Sequence, residues 1–383
     1  MIQKIVHFIG LLLIVTTLIS ANQDDVNTSK ELSFFGDDGS LDLGEYMSQT
    51  YGFLPVPILI TEPAVGYGGG VALVYLHDKL TGTKTASGRR IPPSMSGVIL
   101  AATQNGTQIG GAFHKGYWLE DKLRTMSYIG LPNIYMDMYA PNSSFELNIK
   151  GEMAYQDAKF RLGESDIFLG LAYLYVHSDI SIDFARLEQD FGGAVDIASL
   201  AFMGEYDTRD NQFSPNKGML LNAKVNKYDE KVGGDYSFTN YKLITLFYNP
   251  LSSKVNLDFN FVAEHSAGDD TEIPPYLYPF ISMRGLPMMK YQGTSIATAQ
   301  TQLSYKITPR WTTLVFGGIG RAFDKQIVAP SRNFNDAPDI IAGGIGFRYL
   351  IASKFGLRMG IDIAKSEEDE AFYIQFGTAW HGF

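Results

Sequence analysis

Residue types that perform chemistry in proteins are few in this chain of 383 residues, and their spacing forms no catalytic pattern. Cysteine is absent, which excludes a thiolate nucleophile, a disulfide framework and a cysteine-based metal site. The six histidines show no His-x-x-x-His spacing suited to zinc, and no Gly-x-Ser-x-Gly sequence marks a serine nucleophile. We therefore predict that the protein is not an enzyme and that it binds no metal ion or other cofactor.

One arginine stands out by its surroundings. Arg284 and Gly285 lie in "YPFISMRGLPMMKYQG", residues 278–293, a stretch rich in aromatic residues, methionine and proline. Glycine permits a tight turn of the backbone. The arginine fork carries five donors that match a carboxylate. We predict that Arg284 and Gly285 anchor this segment to an acidic or carbonyl partner on a neighbouring wall.

The composition and the start of the chain indicate the compartment. The net charge of −10 and the pI of about 5.1 argue against a nucleic-acid partner. Residues 1–21 are typical of a secretory signal peptide, because Lys4 precedes an apolar run of 12 residues from Phe8 to Ile19. That run is too short to cross a hydrocarbon core of about 30 Å. Residues 22–50 are acidic and polar, and we interpret them as a periplasmic linker.

Residues 51–383 consist of segments in which apolar and polar residues alternate. In "FGLRMGIDIAKS", Leu357, Met359 and Ile361 fall on one face, and Arg358 and Asp362 fall on the other. Sixteen such segments lie near 53–61, 67–77, 95–103, 107–117, 122–135, 145–161, 165–178, 196–207, 217–229, 235–249, 252–266, 294–307, 310–323, 338–350, 353–365 and 370–383.

These segments favour a membrane barrel over a soluble sheet. Many have about ten or more residues, which exceeds the five or six of a usual soluble strand and suits a tilted membrane crossing. The polar face carries arginines without a partner nearby in sequence, as a wet lumen permits. We therefore predict an all-β fold, a 16-stranded antiparallel transmembrane β-barrel in the bacterial outer membrane.

The stretch "EYDTRDNQFSPNKGMLL" is predicted to be a periplasmic turn. Asp207, Arg209 and Asp210 form local charge pairs, and Pro215 and Gly218 redirect the chain into the next strand. A site for a binding partner is the alternative interpretation of this stretch.

The end of the chain carries aromatic residues at alternating positions. Phe376 and Trp380 are predicted to face outward together with the terminal Phe383, which is out of phase with the other two. We interpret the three as an assembly signal that insertion machinery reads by strand addition.

Three pieces of sequence together resemble a known family. They are "MRGLP" (residues 283–287) before five closing strands, the turn at 205–221, and "PVPILITEPAVGYGGGVAL" (residues 55–73). This combination resembles the barrel domain of the BamA/TamA/FhaC superfamily, also called bacterial surface antigen barrels, over residues 51–383. The resemblance implies a 16-stranded barrel whose sixth outer loop folds back into the lumen with an Arg-Gly-aromatic motif.

The chain departs from that family pattern at two positions. Leu286 replaces the aromatic residue after Arg-Gly, and Gly318 stands where the family's wall motif normally supplies an aspartate. We propose Asp362 as the replacement partner of Arg284. The alternative is that Asp362 only balances Arg348 and Arg358 in a wet lumen.

The resemblance implies insertion or translocation of proteins or lipids at the outer membrane. Pro55 and Pro57 each remove a hydrogen-bond donor from the first strand, which fits a weak seam between the first and last strands. The expected partners are outer-membrane lipids, client outer-membrane proteins and a separate periplasmic protein, since residues 22–50 leave no room for periplasmic modules. The alternatives are a passive pore or structural barrel without clients, and an enzyme at the barrel rim built on His177 and Asp179.

Overall fold

The computed structural model describes most of the chain, and its gaps are short after residue 34. The described residues are 34–49, 52–78, 83–84, 90–140, 143–268, 273–326, 329–367 and 369–380. The predicted signal peptide at 1–21, the first part of the predicted linker and Phe383 lie outside them. No helix within these ranges is long and apolar enough to cross a membrane.

Sixteen antiparallel strands form a nearly closed barrel, as predicted, and each predicted segment overlaps one of them. The strands are β1 (Gly52–Ile60), β2 (Gly68–Leu76), β3 (Met95–Thr103), β4 (Gln108–Trp118), β5 (Leu123–Ala140), β6 (Ser143–Arg161), β7 (Ile167–Ile182), β8 (Gly193–Asp207), β9 (Gly218–Tyr228), β10 (Phe238–Pro250), β11 (Val255–Ala267), β12 (Ser295–Lys306), β13 (Trp311–Gln326), β14 (Ile340–Ala352), β15 (Leu357–Ser366) and β16 (Glu370–Phe376). Each strand pairs with the next along the chain.

The two faces of the barrel wall differ in polarity because side chains alternate along a strand. Large apolar residues are exposed on the outer face, among them Leu131 (66% exposed), Ile341 (64%) and Ile363 (61%). The inner face carries buried charged residues, including Arg348 and Asp362. An apolar outer face with a polar interior is the pattern of a barrel that crosses lipid.

The two ends of the barrel carry different connections. We call one the turn end, where short connections such as 162–166, 251–254 and 353–356 join the strands. The other is the loop end, which carries the helix α2 (Ala185–Phe191) and the connection at 268–294, named here the β11–β12 loop. The connection between β2 and β3, which includes a small ribbon at Thr83–Lys84 and Arg90–Ile91, lies at the turn end despite its length.

Residues 34–49, within the predicted linker, pack against the turn end. They include the helix α1 (Gly44–Gln49). Arg310, in the β12–β13 turn, donates from Nε to Oδ2 of Asp38 at 2.7 Å and from Nη1 to Oδ2 of Asp42 at 2.6 Å. Hydrogen bonds from Arg310 lower the pKa of Asp38 to about 2. This acidic segment is therefore held to the barrel over its described residues.

Two apolar clusters lie at the loop end and involve different walls. The first joins residues of β5 to β8 and α2 with two residues of the β11–β12 loop, Tyr276 and Met289. The second joins residues of β12, β13 and β14 with Ile281, Met283 and Leu286 of the same loop. The loop thus contributes buried side chains to both clusters.

Candidate functional site

Arg284 in the β11–β12 loop contacts three strands of the wall, β12, β13 and β15. Its Nη1 donates to Oδ2 of Asp362 in β15 at 2.6 Å, and its Nη2 donates to Oε1 of Gln302 in β12 at 3.0 Å. The guanidinium carbon lies 3.5 Å from the centre of the Phe316 ring in β13. The side chains of Arg284 and Asp362 are 7% and 0% exposed, so the pair is buried. A buried charge-assisted pair stacked on an aromatic ring has the properties expected of a strong local anchor.

Asp362 also accepts hydrogen bonds from a second arginine. Arg348 in β14 donates from Nη1 to Oδ1 at 2.6 Å and from Nη2 to Oδ2 at 2.8 Å. For Arg358 no salt bridge is found within the described residues. The carboxylate therefore contacts the loop arginine and one of the two wall arginines that the sequence offered as alternative partners.

Gly285 follows Arg284 in a conformation that favours glycine. Its φ is +98°, in the left-handed region. A β-carbon at this position would lie 3.1 Å from the backbone nitrogen of Lys365 and 3.3 Å from Cβ of Ala364. The backbone N–H of Gly285 donates to the hydroxyl of Tyr373 in β16 at 3.0 Å. The glycine thus allows the loop backbone to approach β15 and β16 closely.

Glycines on the inner face of the wall make room for the loop. A β-carbon at Gly318 would lie 2.9 Å from Sδ of Met283 and 2.7 Å from Cγ of Gln300. A β-carbon at Gly320 would lie 3.0 Å from Cγ2 of Ile281. Loop and wall side chains therefore occupy the space that an aspartate at position 318 would need. The carboxylate that meets Arg284 comes instead from Asp362 in β15.

The β11–β12 loop contacts both the first and the last hairpin. The N–H of Met288 donates to Oε1 of Glu62, in the β1–β2 connection, at 2.9 Å. Nζ of Lys290 donates to Oδ2 of Asp369, in the β15–β16 connection, at 2.5 Å. Burial raises the pKa of Glu62 above its usual range, while hydrogen bonds from the backbone N–H groups of Met288 and Ala64 oppose the shift. No sequence signal pointed to Glu62, because its contact depends on the path of a loop far along the chain.

The first and last strands meet at a seam. Strand β1 pairs with β2 and β16 pairs with β15, and no ladder joins β1 to β16 within the described part of the chain. The rings of Tyr67, after the β1–β2 turn, and Phe372 in β16 stack with centres 5.7 Å apart. The loop contacts to Glu62, Tyr373 and Asp369 therefore connect the two sides of the seam.

Known structures share this architecture. BamA from Haemophilus ducreyi lacking POTRA domains 1–3 matches with a TM-score of 0.57 at 13% identity, over 85% of this chain and 68% of that chain. CdiB from Escherichia coli also matches, with a TM-score of 0.54 at 9% identity, over 84% of this chain and 61% of that chain. CdiB from Acinetobacter baumannii matches with a TM-score of 0.57 at 9% identity, over 85% of this chain and 59% of that chain. The fold of this chain is therefore similar to that of the BamA and CdiB barrels. At these identities the likeness concerns the fold, and the chain spans less than two thirds of each CdiB chain. The sequence matches no protein-family model, and no curated protein matches it.

The predicted turn motif joins β8 to β9. Oδ1 of Asp207 accepts from Nε of Arg209 at 2.9 Å, and Oδ1 of Asp210 accepts from the N–H of Asn216 at 2.9 Å. Gly218 has φ +104°, and a β-carbon there would lie 2.3 Å from the carbonyl oxygen of Thr208. These contacts are those of a structural turn, and the alternative of a partner site stays untested.

The same segment also reaches the opposite side of the barrel. Nδ2 of Asn211 donates to the carbonyl oxygen of Phe355 at 2.6 Å, and the N–H of Arg358 donates to Oγ of Ser214 at 3.1 Å. Pro215 lines a small cavity of about 60 Å³ at this end of the barrel. The β8–β9 connection therefore links the middle of the chain to the β14–β15 turn.

The described C-terminal aromatic residues, Phe376 and Trp380, lie in two different environments. Phe376 is exposed on the outer face, as expected. Trp380, which the sequence pattern placed outward, is buried at 5% exposure and packs with Leu220 and Leu246 from the inner faces of β9 and β10. The change of direction occurs at Gly377, which has φ +78°. Phe376 and Trp380 do not share one outward row, and the role of these residues with Phe383 as an assembly signal stays a prediction.

The histidine and aspartate considered for a rim enzyme do not pair with each other in the described structure. Nδ1 of His177 lies 2.7 Å from Oδ1 of Asp196, a residue of the neighbouring strand, and its ring is half exposed. The hydroxyl of Tyr175 donates to the same carboxylate oxygen at 2.9 Å. Asp179, the partner suggested by the sequence, follows His177 on β7.

Proposed function

We propose that this protein inserts or translocates proteins, or lipids, at the outer membrane, and that the β11–β12 loop lies in its lumen as a plug. The observation that carries the proposal is that this loop contacts both hairpins at a seam where β1 and β16 form no ladder. A closed lumen with an unpaired seam suits a barrel that passes client strands sideways rather than solutes along its axis.

The loop has the contacts required of a plug. Its apolar side chains belong to two clusters on different walls, and Arg284 reaches the inner-face carboxylate of Asp362. Each contact on its own is weak or local, but together they hold both ends of the "MRGLP" segment. We infer that Asp362 is the functional partner of Arg284, and that Arg348 orients the carboxylate from the opposite side.

The seam offers a template for strand addition. An unpaired strand edge presents free N–H and C=O groups to another chain. Pro55 and Pro57 reduce the number of donors on β1, so that its pairing with β16 is weak and a client strand competes with it. The expected clients are unfolded outer-membrane proteins, and outer-membrane lipids contact the apolar outer face. A separate periplasmic protein would meet the turn end, where residues 34–49 dock.

A folding assay with liposomes tests the proposal. An unfolded outer-membrane β-barrel protein is added to liposomes that contain the purified protein or no protein, and its rate of folding is measured. We expect faster folding with the protein present, and a slower rate when Pro55 and Pro57 are both replaced by valine, since the seam then pairs better. Pro132→Val, in β5 and away from the seam, is the control and should leave the rate unchanged. Equal rates with the protein and with empty liposomes would refute the proposal.

Conductance in planar bilayers tests the plug and the alternative of a passive pore. The wild-type protein is expected to stay closed, and deletion of residues 274–293 is expected to give steady currents. Large steady currents in the wild type, combined with no effect on client folding, would instead establish the passive pore.

A further inference from the structure

Two histidines and a serine form a cluster on the outer face of β2, β3 and β4, away from the loop anchor. Ser96 in β3 lies in register with Tyr75 in β2 and with His114 in β4. His77 is the first residue after β2 and is exposed. The cluster therefore joins three adjacent strands beside the seam strand β1.

The two imidazole rings converge on one point. Nε2 of His77 and Nδ1 of His114 each lie 2.8 Å from Oγ of Ser96. The ring centres are 5.4 Å apart, and the ring planes are inclined at 76°. Two imidazoles that bind one tetrahedral ion through Zn–N bonds of about 2.0–2.1 Å have ring centres about 5 Å apart. The rings are thus already spaced for chelation.

Hydrogen bonding satisfies this arrangement in one combination of histidine tautomers. A serine hydroxyl donates one hydrogen bond, so it serves the lone pair of one of the two facing nitrogens. The other imidazole must then present its own N–H to the oxygen. A metal ion between the rings accepts lone pairs from both nitrogens at once, and the serine oxygen lies within reach as a further ligand.

The position of the site and the type of its ligands indicate which class of ion it would bind. Trp118, at the turn end of β4, lies with its ring centre 5.6 Å from that of His114, and Tyr75 packs edge-on to His77 at 5.1 Å. Aromatic residues at a strand end are typical of the membrane interface, where water reaches the site. Imidazole ligands favour zinc, copper and nickel over calcium and magnesium. The described residues hold no cluster of three or more histidine, aspartate or glutamate ligands, so water would complete the coordination.

We propose that His77 and His114, with Ser96 between them, form a binding site for a divalent transition-metal ion at the turn end of the barrel. The ion would tie β2 to β4 across β3 and so stiffen the first two hairpins next to the seam. The strand register brings these residues together although they lie far apart in sequence, which is why the search for His-x-x-x-His spacing missed them.

The chain contains its own control for this site. His265 in β11 lies in register with Ser295 in β12, and its Nδ1 is 2.7 Å from the serine Oγ. Its ring stacks with that of Tyr241 at 6.4 Å between centres. This pair reproduces the histidine–serine contact and the aromatic neighbour of the cluster with a single histidine at the serine.

Zinc binding to the full, untagged protein in detergent micelles tests the proposal by titration calorimetry. We expect one zinc ion per chain, a rise in the temperature of thermal unfolding with zinc, and no heat with calcium or magnesium. His77→Asn and His114→Asn should each abolish the stoichiometric binding, whereas His265→Asn should leave it intact. Electrophoretic mobility with and without heating shows whether His77→Asn folds. If it does not fold, His77→Gln replaces it in the test.

Quenching of Trp118 fluorescence by Cu²⁺ supplies a local readout. We expect saturable quenching in the wild type and its loss in Trp118→Phe and in His114→Asn. Zinc binding that is equal in the wild type and in the folded His77→Asn/His114→Asn double variant would overturn the proposal. An equal loss of binding in His265→Asn, or no binding by the wild type, would also overturn it.

Discussion

The carboxylate of Asp362 is where the β11–β12 loop and the barrel wall meet. One buried carboxylate receives hydrogen bonds from Arg284 and Arg348, so it compensates two guanidinium groups that are both largely removed from water. Burying an ion destabilises a protein unless an opposite charge and hydrogen bonds compensate it. Removal of one partner therefore leaves a buried charge without compensation. The loss of Asp362 should therefore affect both arginines at once.

Replacing Asp362 by asparagine should release the loop. The two arginines lose their common counter-charge, which we expect to cost about 3–5 kcal/mol of stability. The measurements are urea unfolding and the rate of trypsin cleavage in the loop, where Arg284 and Lys290 become accessible. The control is Asp339→Asn, which removes an ion pair with Arg321 that is much more exposed and should change stability by about 1 kcal/mol or less. An unchanged cleavage rate in Asp362→Asn, together with a faster rate in Arg284→Ala, would show that Asp362 is not the anchor.

Adding a methyl group at Gly318 should disturb the loop contact. The new β-carbon of Gly318→Ala meets Met283 and Gln300 at less than 3 Å, and overpacking of this kind costs about 1–3 kcal/mol. Gly317→Ala is the matched control on the lipid-facing side of the same strand, where the nearest atom lies at 3.6 Å. Unfolding midpoints of the two variants give the comparison. Equal midpoints would mean that the inner face at position 318 is not tightly packed.

At the scale of the elements, connections at the turn end make contacts between distant parts of the chain. The β12–β13 and β14–β15 turns bind residues 34–49, and the β8–β9 connection reaches across to Phe355. These contacts are polar and lie at the turn end, outside the apolar belt. The contacts of residues 34–49 use the carboxylates of Asp38 and Asp42, so their strength should depend on pH, unlike that of the strand ladders.

Acid should release residues 34–49 from the turn end. Hydrogen bonds from Arg310 depress the pKa of Asp38 to about 2 from its ordinary value of 3.8. A depressed carboxyl pKa stabilises the docked segment above the ordinary value, and the stabilisation disappears as the pH falls toward the depressed value. We expect faster proteolysis of this segment between about pH 4 and pH 2, measured with an acid-active protease. Arg310→Gln should show fast cleavage already at pH 5, and a segment that stays protected at pH 2 in the wild type would contradict the prediction.

At the scale of the whole molecule, parts of the chain that are distant in sequence come into contact. The chain turns inward after β16, so that Trp380 packs with Leu220, Ile244, Leu246 and Tyr248 from the middle of the sequence. The β11–β12 loop does the same at the loop end by linking the first and last hairpins. At each end of the barrel, a segment that belongs to no strand thus contacts distant strands or their connections.

Removing the Trp380 side chain should destabilise the folded barrel. Truncation of a buried tryptophan to alanine typically costs about 3–5 kcal/mol, because apolar contacts are lost and a cavity remains. Trp311→Ala is the matched control. Because Trp311 is 49% exposed on the outer face, its truncation should lower the free energy of unfolding clearly less. Urea unfolding of both variants in the same micelles measures the difference. Equal losses would show that the tail packing contributes little to stability.

The sequence alone determined the number, order and faces of the sixteen strands. Alternation with a period of two is a local property of the extended backbone, so residues such as Ile361 and Asp362 reveal their opposite faces without any long-range information. The even count and the lengths of the connections followed from the same local pattern. The barrel and its apolar belt were therefore predictable.

Only the tertiary structure decided which residues meet inside and across the barrel. Arg284 with Asp362 was one of two open alternatives, while the contact of Met288 with Glu62 and the inward turn of Trp380 had no sequence signal. Such contacts join positions far apart in the chain, and they depend on the strand register and on the path of loops that lack a repeating pattern. The local pattern of alternation specified the strands of the barrel wall. Long-range packing specified which loop and tail residues contact that wall.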